Sequence, residues 1–239
     1  MTLKDKRVLV LGGTSGIGLA VANAAANEGA IVVVVSSQKA RVQAALQCLP
    51  EGVQGHIADL GDEKSVEALF RNMQPFDHLV FTAGDSIWQS AIGDTEFDDA
   101  QKFFEVRYWG AVFVAKHGSK LIRPGGSMVF TSSTLPRKPA MGFAIGASIN
   151  GAVEALTAAL AVELAPVRVN AVAPGIIRTP IWNRLPADQR EAYFRERGAA
   201  MPAGKVGEPT EVAEAYLFLM RSGFTTGQVV VVDGGMLLK

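Results

Sequence analysis

The sequence predicts an α/β protein built on a doubly wound, seven-stranded parallel sheet with helices on both faces. Three observations carry that prediction. Short apolar runs rich in β-branched residues recur along the chain, helix-length stretches separate them, and a glycine-rich turn joins the first run to its helix.

Arg7 to Leu11 is the first predicted strand, and Gly12-Gly13-Thr14-Ser15-Gly16-Ile17-Gly18 leads from it into an alanine-rich helix reaching Glu28. Glycines at 12, 16 and 18 let the backbone turn sharply, approach a pyrophosphate and pack helix on strand, while the helix N–H groups face the phosphates. The same spacing also serves a tight turn that holds no ligand. A second strand is expected at Ala30 to Val35, a helix at Lys39 to Cys48, a strand at Gln54 to Ala58, and a helix opening near Asp62 after Asp59-Leu60. Strands at His78 to Thr82, Ser127 to Thr131, Val167 to Val172 and Gln228 to Val232 complete the seven, with long helices near Phe97 to Lys120 and Ala147 to Ala165. Right-handed crossovers then place helices on both faces of a Rossmann-type sheet.

Composition limits the alternatives. The 239 residues are 49% hydrophobic and carry no formal net charge, which suits one substantial core and removes the electrostatic case for nucleic acid as a partner. No Pro/Gly/Ser-rich linker divides the chain, so a single domain over 1–239 is expected. No apolar run approaches the roughly 18 residues that span a membrane, and the N-terminus leads into the first strand without a signal-peptide core. A cytoplasmic protein with no membrane partner follows as an expectation. His56, His78 and His117 lie apart without ligand spacing, so no metal site is expected. Cys48, the single cysteine, reads as a buried structural thiol.

Several ordered landmarks together resemble the short-chain dehydrogenase/reductase family. They are Thr14-Ser15-Gly16-Ile17-Gly18, Asp59-Leu60, Thr82-Ala83-Gly84, Asn170-Ala171-Val172-Ala173-Pro174-Gly175, Thr179 and Val232-Asp233-Gly234-Gly235, and they run from end to end of the chain. The resemblance implies that Gly12, Thr14, Ser15, Gly16, Ile17 and Gly18 hold a dinucleotide's pyrophosphate and that Asp59 and Leu60 meet its adenine. It implies that Ala83 and Gly84 line the nucleotide cleft and that Pro174, Gly175, Ile177 and Thr179 border the nicotinamide end. Phe81-Thr82-Ala83-Gly84 departs from the Asn-Asn-Ala-Gly that the family often carries.

The nucleotide's identity turns on the residues after the second strand. An acidic residue about 20 positions beyond the glycine loop selects NAD, because its carboxylate accepts the ribose hydroxyls and repels a 2′-phosphate. Here that place reads Ser36-Ser37-Gln38-Lys39, with Arg41 close by. Two hydroxyls and two cations suit a phosphate, so NADP(H) is favoured over NADH. Lys39 and Arg41 also read as a solvated helix face.

The reaction half departs from the resemblance. In the family a serine precedes a tyrosine by 13 positions, a lysine follows that tyrosine by four, and an asparagine comes from the long upstream helix. Matching these segments puts Ser133 at the serine, Gly146 at the tyrosine, Asn150 at the lysine and Arg107 at the asparagine; a register shifted by one puts Ile145 and Ile149 at the tyrosine and lysine, and neither supplies a phenol or an amine. Between Thr131 and Pro166 the chain has no tyrosine, and its only lysine is Lys138. A phenol near pKa 10 becomes a usable acid at neutral pH only beside cations, and a positioned acid or base contributes roughly 10²- to 10⁴-fold. The candidate catalytic residues are therefore Ser133, Arg107 and Asn150. Ser133 polarises a carbonyl or only bonds within its turn. Asn150 bonds a ribose or is a polar helix residue. Arg107 clamps an anionic group or a developing alkoxide, or pairs with Glu105, Asp98 or Asp99.

Pro180 to Gly204 resembles the variable lid that shapes the family's substrate pocket, at about 180–204. Trp182, Leu185, Tyr193, Phe194 and Met201 supply apolar surface, and Arg178, Arg184, Arg190, Arg195 and Arg197 supply charge that, with Arg107, suits a small anionic substrate or is a solvated face. Tyr193 is a candidate replacement proton donor by lid closure, or packs the pocket. Two functions are compatible with these residues: an NADP(H)-dependent oxidoreductase with a nonstandard site, or a catalytically silent nucleotide-binding sensor or scaffold. The long helices and the tail Gly234 to Lys239 resemble the family's assembly surfaces, so a homodimer or homotetramer is expected.

Overall fold

The structure is a computed structural model, and it describes residues 2–84, 87 and 89–239. Seven strands form one parallel sheet in the order β3-β2-β1-β4-β5-β6-β7. They are β1 (Arg7–Leu11), β2 (Ile31–Ser36), β3 (Gln54–Ile57), β4 (Phe76–Phe81), β5 (Ile122–Thr131), β6 (Arg168–Pro174) and β7 (Val229–Val232). All seven predicted strands are present, displaced by a few residues at their ends. The helices are α1 (Gly16–Asn27), α2 (Lys39–Cys48), α3 (Glu63–Arg71), α4 (Phe97–Phe104), α5 (Gly110–Gly118), α6 (Ala144–Glu163), α7 (Ala187–Ala199) and α8 (Pro209–Arg221).

Alternation along the strands builds two cores. Leu9 and Leu11 of β1, with Val33, Val35, Leu79, Phe81, Met128 and Phe130, face the layer that contains α3, α5 and α6. Val8 and Val10, with Val32, Val34, Val80 and Val129, face α1 and α8. Both sheet faces are thus covered, the arrangement in which parallel strands read as unbroken apolar runs.

Two expectations need correction. The predicted long helix from Phe97 to Lys120 is broken by a π-turn over Glu105–Trp109. The extra residue in that turn changes the helix phase, so that Arg107 reaches Gly84 in the loop after β4 while Gly110 abuts Leu60; a Cβ at Gly110 would lie 2.7 Å from the Leu60 carbonyl oxygen. Cys48 is exposed rather than buried, because it ends α2 while Val42, Ala45 and Leu49 take the inward positions. Helix α6 has the length and composition of a membrane span, with 20 residues and a mean hydropathy of 1.5. Its alanines raise the hydropathy without forming an unbroken apolar run. Val153 and Leu160 pack it on the sheet.

The site is positioned by the order of the strands. Connections run one way from β1 and the other way from β4, so the loops after these two neighbours splay apart and leave a crevice at the carboxyl ends. Backbone bonds join its walls: Gly12 donates to Val35 at 2.9 Å, Thr82 to Leu11 at 2.8 Å and Ser132 to Val172 at 2.8 Å.

Candidate active site

A cleft of about 790 Å³ opens along this crevice. At one end lies the β1–α1 turn. Gly12 has φ +86°, and a Cβ there would stand 2.7 Å from the Ala83 backbone nitrogen. At Gly18 it would stand 2.3 Å from the Gly12 carbonyl oxygen. These contacts leave backbone, not side chains, along the floor. Ser15, at the N-cap of α1, makes no side-chain capping bond, and the first turn carries no acidic residue. Its N–H groups and positive dipole end are therefore directed at the cleft, which fits a pyrophosphate.

Every predicted cofactor residue but one lines the cleft: Gly12, Thr14, Ser15, Gly16, Ile17, Gly18, Ser36, Ser37, Arg41, Asp59, Leu60, Ala83, Gly84, Pro174, Gly175, Ile177 and Thr179. Lys39 is the exception and is exposed. Residues two apart on a helix point about 200° apart, so α2 turns Lys39 away when Arg41 faces inward. Ser36 accepts a bond from the Gln38 N–H at 3.4 Å. Asp59 accepts from the Gly61 N–H at 2.9 Å, which fixes its carboxylate at the turn after β3.

At the other end the strand termini bring side chains together. Ser133, just past β5, accepts the Leu135 N–H at 3.2 Å, so its hydroxyl proton is left to donate. Ser132 behind it is buried and donates to Glu154 Oε1 at 2.7 Å; Arg137 donates to the same oxygen at 2.7 Å. Thr131 donates to the Phe81 carbonyl at 2.7 Å and is bonded to the Tyr216 hydroxyl at 2.6 Å. Burial holds that phenol far above its ordinary range, which makes it a structural partner.

Gly146 and Asn150 of α6 both line the cleft. The Asn150 amide donates back along its helix to the Gly146 carbonyl at 2.7 Å. A Cβ at Gly146 would meet Leu135 Cδ1 at 3.4 Å, an ordinary contact. Arg107, in the π-turn, stacks on Phe103 with its guanidinium 4.8 Å from the ring centroid. It also packs over Gly84, where a Cβ would lie 2.6 Å from the guanidinium carbon. The structure therefore brings all three candidate catalytic residues to one end of one cleft.

A third apolar cluster covers this end. Phe194, Met201 and Val206 form its buried centre, with Trp182, Tyr193 and Met236 packed against it. Trp182 Nε1 donates to the Ile177 carbonyl at 2.9 Å, and its ring lies 5.0 Å from that of Tyr193. Burial raises the Tyr193 phenol, and Arg197 opposes the rise. Of the other lid arginines, Arg178 pairs with Glu191 at 2.7 Å and Glu208 at 3.4 Å, Arg190 bonds Asn183 and Arg184 bonds the Ile87 carbonyl.

Sequence reasoning did not assign Lys138, Phe143 or Met236 to the cleft they line. Lys138 donates to the Met236 carbonyl at 2.8 Å and to that of Lys239, contacts about a hundred positions apart in the chain. Asp233 prepares the tail for them by accepting the N–H groups of Gly235 and Leu237, each at 2.9 Å. The Val232-Asp233-Gly234-Gly235 motif was the one available signal.

Comparison with known proteins agrees with this architecture. A family model described as enoyl-(acyl carrier protein) reductase matches residues 12–237. A short-chain dehydrogenase/reductase of Acremonium sp is 35% identical over 99% of this chain and 97% of its own length. The 3-oxoacyl-[acyl-carrier-protein] reductase of Mus musculus is 33% identical over 98% of this chain and 99% of its own. Among solved structures, a small-chain dehydrogenase in complex with NADPH is 38% identical, with a TM-score of 0.83 over 99% of this chain and 100% of that one. The MalC reductase/Diels-Alderase of Malbranchea aurantiaca is 31% identical, with a TM-score of 0.91 over 99% and 97%. With matches that span nearly the whole sequence, this chain belongs to the short-chain dehydrogenase/reductase family.

Proposed function

We propose that the protein is an NADP(H)-dependent oxidoreductase that moves hydride to or from a small carbonyl or alcohol substrate through a nonstandard active site. One observation carries the reading: a single cleft runs from the α1 N-terminus and Arg41 to Ser133 and Arg107. Such a cleft holds a dinucleotide at one end and a substrate at the other.

The chain's own residues divide the work. The turn from Gly12 to Gly18 takes the pyrophosphate on backbone N–H groups, and Asp59 and Leu60 border the adenine. Ser36, Ser37 and Arg41 take the 2′-phosphate, with Lys39 acting only at longer range. Ala83, Gly84, Pro174, Gly175, Ile177 and Thr179 line the path to the nicotinamide. NADPH, when bound, supplies the hydride, and the NADPH complex of a 38% identical relative supports this choice. Ser133 donates its O–H to the reacting oxygen, and the Arg107 cation favours negative charge there. Gly146 and Asn150 stand where the family carries its tyrosine and lysine, and Asn150 brings an uncharged amide that donates one of its two N–H groups to Gly146. Residues 180–204 act as a lid on a single domain spanning 1–239. Exposed Phe97 and Trp109 on the α4–α5 edge and Val162 on α6 suit a homodimer or homotetramer.

The missing phenol and amine favour a second reading, a catalytically silent nucleotide-binding sensor or scaffold. Calorimetric titration with NADPH and NADH, followed by NADPH oxidation against a panel of small carbonyl compounds, separates the two. Micromolar NADPH binding, weaker NADH binding and turnover lost in Ser133→Ala and Arg107→Leu are the expected results. NADPH binding with no turnover across the panel supports the silent reading, and no binding of either nucleotide sinks both.

A further inference from the structure

Of the chain's three tyrosines, Tyr193 alone lines the cleft. Tyr216 is fully buried and bonded to Thr131, and Tyr108 packs at the edge of the core. Arg197 follows Tyr193 by four positions on α7, the spacing that puts two side chains on one helix face, and it too lines the cleft. Its guanidinium carbon lies 5.3 Å from the Tyr193 ring centroid. A phenol and a cation four residues apart are the pair that α6 lacks at Gly146 and Asn150.

The pair is not on a loose flap. Trp182 is fixed to the Ile177 carbonyl, Tyr193 packs against Trp182 with the rings tilted by 38°, and Phe194 beside it is buried with Met201 and Val206. Ile177 is itself bridged to Gly207. The phenol is thereby tied to the segment that borders the reaction end of the cleft.

We propose that Tyr193 is the proton donor of the reaction, with Arg197 as the positioning residue that stabilises its phenolate. This rests on the oxidoreductase reading above. In the reduction one phenol O–H breaks and one alcohol O–H forms on the oxygen whose carbon takes hydride from NADPH. The phenolate, held by Arg197, regains its proton from water past the exposed arginine. Reduction consumes one proton in total, and oxidation runs the same steps in reverse. Burial holds the phenol above its ordinary range; Arg197 and, more weakly, Arg184 draw it back down, and Glu196 adds slightly to the rise.

A spectrophotometric titration of tyrosine ionisation tests the pair without cofactor. The difference between the unaltered protein and Tyr193→Phe isolates one phenol, and Arg197→Leu shifts that transition to higher pH while Arg197→Lys restores it. With NADPH bound, Tyr193→Phe keeps its nucleotide affinity within about twofold and its thermal unfolding temperature, because the ring packing is retained. Its turnover falls about 10²- to 10³-fold. Arg71→Ala, at the exposed end of α3 and outside the cleft, leaves turnover unchanged. Turnover within threefold of normal in Tyr193→Phe, or a phenol transition unmoved in Arg197→Leu, overturns this assignment alone. Absence of turnover in the unaltered protein overturns the oxidoreductase reading and the assignment with it.

Discussion

The two ends of the cleft are made of different material. The nucleotide end is backbone: glycines stand so close to neighbouring main chain that no Cβ fits, and an uncapped helix terminus supplies the charge. The reaction end is side chains, drawn from β5, the π-turn, α6 and α7 and held by bonds such as Ser133 to Leu135 and Trp182 to Ile177. Backbone geometry at one end accepts almost no change of residue. Side-chain chemistry at the other can be exchanged between elements while the cleft keeps its shape.

The comparison is broken most directly at Gly18. A Cβ placed 2.3 Å from a carbonyl oxygen and 2.4 Å from Thr82 Oγ1 cannot be relieved by a rotamer change, so α1 itself must move. Gly18→Ala is expected to lower NADPH affinity at least 100-fold in calorimetric titration. Its cost in stability sits near the top of the roughly 1–3 kcal/mol usual for overpacking. Unchanged affinity would show that the nucleotide end is not limited by its backbone.

This difference also sets what the sequence disclosed. Glycine spacing states a backbone requirement in the residues themselves, so the turn, the seven strands and the place along the cleft of every proposed nucleotide residue except Lys39 could be read in advance. Lys39 failed because a two-residue step on α2 reverses the side chain, and the start of α2 was not fixed closely enough to show it. The π-turn was invisible, since Phe97 to Lys120 has the composition of one helix and only packing against Leu60 and Gly84 reveals the extra residue. Matching positions led to Ser133, Arg107 and Asn150 as cleft residues, but Lys138 and Met236 meet across almost a hundred residues and have no local pattern.

The sheet beneath both ends gives a control, because weakening it acts on both alike. His78 of β4 bonds Ser127 of β5 at 2.9 Å, and burial, reinforced by the nearby Arg168 charge, lowers its pKa to about 4. The unfolded chain takes that proton near pH 6.5 and the folded chain only near 4. His78's contribution is therefore complete above about pH 6.5 and is lost as the pH falls towards 4. Denaturant unfolding between pH 7 and 4.5 is expected to show a loss approaching about 3 kcal/mol, and His78→Gln should flatten that dependence. A pH dependence unaltered in the variant would assign the loss to other groups.

A side chain can also be tested at the nucleotide end, where Ser37 is exposed at the rim. Ser37→Asp places a carboxylate where the 2′-phosphate is expected. Repulsion through solvent of about 1–2 kcal/mol should weaken NADPH roughly five- to thirtyfold while NADH holds or improves. Equal effects on both nucleotides would move the phosphate away from Ser36, Ser37 and Arg41.

The smallest effect sharpens the contrast most, because it repeats the Gly18 substitution at the other end. Gly146 lies inside α6, where glycine costs about 0.5–1 kcal/mol relative to alanine through the extra freedom of the unfolded chain. Its new Cβ would find Leu135 Cδ1 at 3.4 Å and Phe143 Cδ1 at 4.0 Å, the flexible ends of side chains and no backbone. The carbonyl that accepts the Asn150 amide belongs to the main chain and survives the change. Gly146→Ala should therefore raise thermal stability by about 0.5–1 kcal/mol and leave NADPH affinity untouched, opposite in sign to Gly18→Ala. Stabilisation would mean that this helix carries glycine for the space it leaves beside the substrate. Destabilisation would mean that close backbone approach shapes the reaction end as well, and the division between the two ends would fall.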